Sequence, residues 1–241
     1  MLRSLIASVL LVLGAAAQAP GGDQPAGPPV EVPTFANPTC PIMGKKVSMP
    51  LFIDTELGRF YVCCKPCYKK ILANVPAAHQ TAYPVVQEVK NTVCPVSGEA
   101  IGDDAVDVTL QGYSFKVCCG KCVDAARKQS QLTLTKVTRD KVKDVGNQTC
   151  PVDGKPVVDN AFVLIGDTLV HLSSPMHVDA VAKDSVSVLA KAKAIQKTQP
   201  PRPKHEHGPQ PAGTPIEVPA PLPGKDPNKE PSKEPGKEGG K

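Results

Sequence analysis

From residue 36 onward the chain passes three times through one pattern of apolar and polar positions. Each pass opens on a Cys-Pro-x-x-Gly turn, then runs through an alternating segment, a glycine-containing turn and a second alternating segment. Alternation with period two on both sides of a tight turn predicts a β-hairpin. The paired segments are VSMPLFIDT and RFYVC around Leu57-Gly58, AVDVTL and SFKVC around Gln111-Gly112, and NAFVLI and TLVHL around Gly166-Asp167. The Gly-Asp turn carries a type II′ signal. Apolar residues then recur at helical spacing in CYKKILANV, CVDAARKQ and HVDAVAKDS, which predicts a helix after each hairpin. A second amphipathic helix is expected to close each pass, over AYPVVQEVK, TRDKVKDV and VSVLAKAKAIQ.

The openings NPTCPIMGKKV, NTVCPVSGEAI and NQTCPVDGKPV fix the register. Their first cysteines, Cys40, Cys94 and Cys150, stand 54 and 56 residues apart. This is an internal repeat. It divides the middle of the chain into units at 36–91, 92–147 and 148–197, of the α+β class. A unit of this size, in a chain with only 4% aromatic residues and no Trp, has a thin core. Domains so small often need a staple of metal or disulfide.

The ends read differently. Residues 1–17, MLRSLIASVLLVLGAAA, combine Arg3, an apolar stretch from Leu5 to Leu13 and a run of alanines. That is the pattern of a signal peptide, and the stretch is short for a bilayer span. The expectation is an exported protein with no stable membrane insertion after cleavage. Residues 18–35 form a Pro/Gly-rich lead-in, expected to be disordered. Residues 198–241 form a tail of Pro, Lys, Glu and Gly with almost no large apolar side chain, also expected to be disordered. His205 and His207 in that tail are at most casual metal contacts. The net charge of +5 is spread over interspersed lysines and acids, with no basic stripe and no interleaved aromatics, which argues against nucleic acid.

The chemistry lies in the nine cysteines. The first unit holds Cys40, Cys63, Cys64 and Cys67, and the second holds Cys94, Cys118, Cys119 and Cys122. One thiol sits in the Cys-Pro turn and the others where a strand runs into a helix start. This is a treble-clef-like zinc-finger arrangement, and thiolates suit Zn(II) or Cu(I). A helix N-terminus and the nearby Lys65, Lys69, Lys116 and Lys121 are expected to favour the thiolate.

The pattern resembles the YHS/TRASH-type heavy-metal-binding domains, with a spaced cysteine and then Cys-x3-Cys on a hairpin and helix. The resemblance covers the first two units and, in part, the third. It implies ligand roles for Cys40, Cys63 and Cys67 and for Cys94, Cys118 and Cys122, with Cys64 and Cys119 as candidate fourth ligands. One departure stands out. Where such domains often have a second cysteine in the opening turn, this chain has Met43, Ser97 and Asp153. Three thiolates with Met43 nearby would favour Cu(I).

The third unit has Ser173, Ser174 and His177 in place of three cysteines. Cys150, His171, Met176 and His177 are its candidate metal set, and a degenerate unit kept as a structural cap is the other reading. Two rivals remain for the whole chain. Eight thiols could form a disulfide-stapled scaffold. Alternatively, Cys64-Lys65-Pro66-Cys67 and Cys119-Gly120-Lys121-Cys122 could be Cys-x-x-Cys redox sites. No hydrolase or phosphate-loop motif is present. The expectation is a non-enzymatic metal-binding protein whose partner is the metal ion, with no protein partner indicated.

Overall fold

The computed structural model describes residues 27–200. The segment read as a signal peptide, the first part of the lead-in, and the tail from residue 201 on, with His205 and His207, lie outside the described residues.

Strand β1 (Val30–Glu31) precedes the first unit. That unit contains β2 (Ser48–Thr55), β3 (Gly58–Val62), α1 (Cys67–Ala73) and α2 (Val75–Ala82). Next come β4 (Gln87–Glu88), β5 (Val106–Leu110), β6 (Tyr113–Val117), α3 (Gly120–Lys128) and α4 (Ser130–Thr138). The last group is β7 (Lys143–Asp144), β8 (Phe162–Ile165), β9 (Thr168–His171), a 3-10 turn (Pro175–His177), α5 (Val178–Lys183) and α6 (Ser185–Thr198). The mixed α+β class is as expected, and each predicted hairpin is present as an antiparallel pair.

The turns follow their residues. At Gln111-Gly112 both residues have positive φ, 47° and 78°, which suits a type I′ connection. At Gly166-Asp167 only the glycine does, at 57°, as a type II′ turn needs. Gly58 is constrained twice. Its φ is 99°, and a Cβ there would lie 2.7 Å from Cγ of Gln111. The hairpin tips of the first two units meet at this point, where the Gln111 N–H donates to the Leu57 carbonyl.

The second helices depart from expectation in two units. The first runs over Val75–Ala82 rather than over AYPVVQEVK. Asn74 starts it by accepting from the Ala77 N–H, and a proline sits in its first turn. Pro84 follows its end. The second is Ser130–Thr138, ahead of TRDKVKDV. Its threonines are poor helix formers, but it is buried almost all round, including Gln131, Leu132, Thr133, Leu134 and Thr135. Burial decides where local propensity is indifferent. In the third unit the helix is where the pattern put it, started by Asp184, which accepts from Ser187 N–H.

The segments misread as helices form β4 and β7 instead. Each pairs in parallel with the second hairpin strand of the following unit, β4 with β6 and β7 with β9. The first and second units thus each hand a strand forward. The lead-in is also partly ordered: Val30 and Glu31 pair with Ile165 and Leu164 of β8. The Pro29 carbonyl accepts from Gly166 N–H at 2.9 Å and the Pro28 carbonyl from the Ser185 hydroxyl at 3.1 Å. These backbone bonds hold a segment whose composition alone would not order it.

Each unit has its own apolar core, centred on Phe60, Phe115 and Val163 respectively. A smaller cluster joins Leu132 of α4 to Phe162, Leu164 and Leu169. It explains why all four residues of β8 are buried. One face of the strand serves its own unit and the other packs on α4. Between the lead-in and the second unit lies a polar link. Gln131 Nε2 donates to Gln111 Oε1, and Gln111 Nε2 donates to the Phe35 carbonyl at 2.7 Å.

Candidate metal centres

In all three units the Cys-Pro-x-x-Gly turn closes the same way. The glycine N–H donates back to the cysteine carbonyl, from Gly44 to Cys40, Gly98 to Cys94 and Gly154 to Cys150, at 2.8 to 2.9 Å. All three glycines have positive φ, between 64° and 77°, where a side chain would strain the backbone. The cysteine N–H in turn donates to the carbonyl of Lys45, Glu99 or Lys155. This knuckle turns its sulfur toward the end of the hairpin.

An asparagine three residues earlier fixes the knuckle to the hairpin, a role the sequence reading missed. Asn37 Nδ2 donates to the carbonyls of Thr39 and Tyr61, and its Oδ1 accepts the Tyr61 N–H. Asn91 does the same with Val93 and Lys116, and Asn147 with Thr149 and His171. The signal was present in the first letter of NPTC, NTVC and NQTC.

The knuckle and the strand-to-helix junction bring the expected thiols together. The sulfurs of Cys40, Cys63 and Cys67 all lie within 4.8 Å of one another, as do those of Cys94, Cys118 and Cys122. Cys63 and Cys67 are 3.9 Å apart, and Cys118 and Cys122 are 3.5 Å apart. Three thiolates each about 2.3 Å from one tetrahedral ion stand about 3.8 Å from each other, so these separations fit a metal with little movement. Cys64 touches Cys63 and Cys67, at 3.8 and 3.5 Å. Cys119 touches Cys118 and Cys122, at 3.9 and 3.6 Å. Both stand outside the mutually close groups of three.

The electrostatics divide the thiols. Burial works to raise Cys40, but N–H groups of Cys63, Ile42 and Met43 outweigh it and bring its pKa down to about 7. Burial likewise opposes ionisation of Cys94, yet the N–H groups of Ser97 and Cys118 and the Ser97 hydroxyl draw it below the ordinary thiol value. Burial and the neighbouring thiols push Cys67 up to about 12 and Cys122 higher still. Backbone N–H groups of the turn and of the second hairpin strand's end thus favour the thiolate at Cys40 and Cys94. Lys116 is engaged by Asp107 at 3.2 Å.

At the position after which the turn closes, Met43, Ser97 and Asp153 diverge. Met43 is half exposed. The Ser97 hydroxyl touches Cys118 Sγ at 3.3 Å. Asp153 joins a group with Cys150 and His177, whose ligand atoms lie within 4.8 Å of one another. The set expected in the third unit is thus corrected. His171 is buried and faces away from that group, with Nε2 2.8 Å from Asp144 Oδ1. Asp144 also meets Lys136 Nζ at 2.6 Å. Burial opposes its charge, but these two partners hold its carboxyl well below the usual carboxylate range. Met176 is 87% exposed. Asp153 was passed over because it was read only as a missing cysteine.

No family model, no curated protein and no solved structure matches this chain. The site geometry therefore carries the functional reading.

Proposed function

We propose that the protein is an exported, non-enzymatic metal-binding protein, and that its first two units each capture a thiophilic ion, Zn(II) or Cu(I). The single observation behind this is the duplicated gathering of three sulfurs, from a knuckle and a helix start, within 4.8 Å of one another. Cys40, Cys63 and Cys67 are the ligands of one site, and Cys94, Cys118 and Cys122 those of the other. Cys64 and Cys119 are close enough to complete a fourth position. Soft donors select soft or borderline ions, and the buried sulfurs of Cys40, Cys67, Cys94 and Cys122 cost less when a cation is present. The units are treble-clef-like in this reading, and the resemblance to YHS/TRASH-type domains supports it. The metal also acts as the staple that a thin core needs.

A second reading draws on one distance pair. Cys64 and Cys67, and Cys119 and Cys122, have sulfurs 3.5 and 3.6 Å apart, within reach of a disulfide after small side-chain rotations. The test is to measure bound metal and reactive thiols together, on full chain purified without reductant or chelator. One ion per thiol cluster, with thiols that become reactive only on metal removal, is expected. A metal-free protein with its thiols oxidised overturns the metal reading and leaves the disulfide one.

A further inference from the structure

The third unit is the only one that lacks cysteines at the strand-to-helix junction, and the only one with a carboxylate in its knuckle. Ser173 stands where the other units have Cys63 and Cys118, Ser174 where they have Cys64 and Cys119, and His177 where they have Cys67 and Cys122. The losses and gains are matched in space. Cys150 Sγ lies 3.5 Å from His177 Nδ1, and the Ser173 hydroxyl donates to Asp153 Oδ1 at 2.9 Å. Asp153 is exposed, Cys150 fully buried and His177 half-buried, so the group opens to solvent on its carboxylate side.

We propose that Cys150, Asp153 and His177 form a third metal site, chemically distinct from the thiol clusters, that takes a borderline divalent cation of the zinc class. One thiolate, one imidazole and one carboxylate are donors that Zn(II) accepts together. A single soft ligand gives Cu(I) little hold. The local structure is built to present the three groups. The knuckle places Cys150 and Asp153 on one loop, where Val152 N–H donates to Cys150 Sγ at 3.4 Å and Lys155 N–H to Asp153 Oδ1 at 3.1 Å. Ser174 caps the 3-10 turn by accepting from Met176 N–H, with Pro175 in its first position, and that turn delivers His177. Ser174 thus replaces a thiol with a cap. Three protein ligands leave one position for water, unlike a closed structural site.

This inference does not depend on the thiol clusters binding metal, and its test keeps the two apart. Zn(II) alone is titrated into reduced full chain, and bound ions are counted for wild type and for His177→Ala. The imidazole resonances of His177 are followed by NMR in wild type, a readout that needs no variant to fold. The expected result is one ion fewer in His177→Ala, a shift of the His177 ring on Zn(II) addition, and the same difference retained when Cys67→Ser is added to both. Asp153→Cys is expected to keep an ion and to gain affinity for Cu(I). An equal count in His177→Ala, or a His177 ring unmoved by Zn(II), overturns the inference even if the thiol clusters fill. A count that falls only through His177→Ala upholds it while overturning Zn(II) as the ion of the first two units.

Discussion

Asn147 holds both main-chain groups of His171. Its Oδ1 accepts the His171 N–H at 3.0 Å and its Nδ2 donates to the His171 carbonyl at 2.8 Å. The same side chain also reaches the Thr149 carbonyl, so one residue ties the knuckle to the strand that leads into the site. Asn37 and Asn147 are fully buried, and Asn91 is only half-buried. Removing a buried partner leaves main-chain groups without water or protein to bond. Asn37→Ala and Asn147→Ala should each cost about 3 kcal/mol in denaturant unfolding, and Asn91→Ala about 1 kcal/mol. Equal losses at the three positions would show that burial does not set the cost.

His79 is buried between the rings of Phe60 and Tyr83, and its Nε2 has no hydrogen-bond partner among the described residues. Burial lowers its pKa below the ordinary value. The unfolded chain therefore takes up a proton first as pH falls. Stability should be fully present above about 6.5 and fall below it, by at most about 1.4 kcal/mol per pH unit, until the folded pKa is reached. His79→Phe should remove that part of the slope. Thermal melts of metal-free, reduced protein between mildly acidic and neutral pH, compared for the two chains, read the difference.

Cys67 belongs to the close group with Cys40 and Cys63, whereas Cys64 touches only its edge. Cys67→Ser should weaken metal binding by the first unit at least about 100-fold, and Cys64→Ser by about tenfold or less. Competition against a chromophoric chelator measures both. Equal effects would place Cys64 among the ligands proper.

The hairpins, the first helices and the eight thiols were legible because each depends on local pattern: alternation, spacing and turn residues. What was not legible depended on distant contacts. SQLTLTKVT has no strong helical stripe, and it is a helix because Leu132 and Leu134 pack on different units. KDV and QEV look like helix ends until the following hairpin supplies a partner strand. His171 looked like a ligand because it sits beside the site in sequence. Alternation along β9 points it instead at Asp144. Asp153 was hidden by comparison with the cysteine that it replaces.

Truncation through Glu31 tests the pairing of β1 with β8. The pair carries backbone bonds, the half-buried Val30 and an ion pair between Glu31 and Arg139. Exposed ion pairs contribute little, so the backbone bonds and Val30 should account for most of the loss. Hydrogen exchange should speed up across Phe162–Ile165 and stay unchanged in β2.

Four residues before Asn91 and Asn147 stand Gln87 and Lys143, whose N–H groups bond to the hairpins of the second and third units. The first unit has Pro33 there, with no N–H to give. Its leading segment joins β8 of the last unit instead. A chain of units that each pass a strand onward could be lengthened indefinitely by duplication. This one is closed on itself: the first unit refuses an incoming strand, and the edge of the last unit is already taken. Among the described residues both edges of the last sheet are thus filled by segments from earlier in the chain, β1 on one side and β7 on the other.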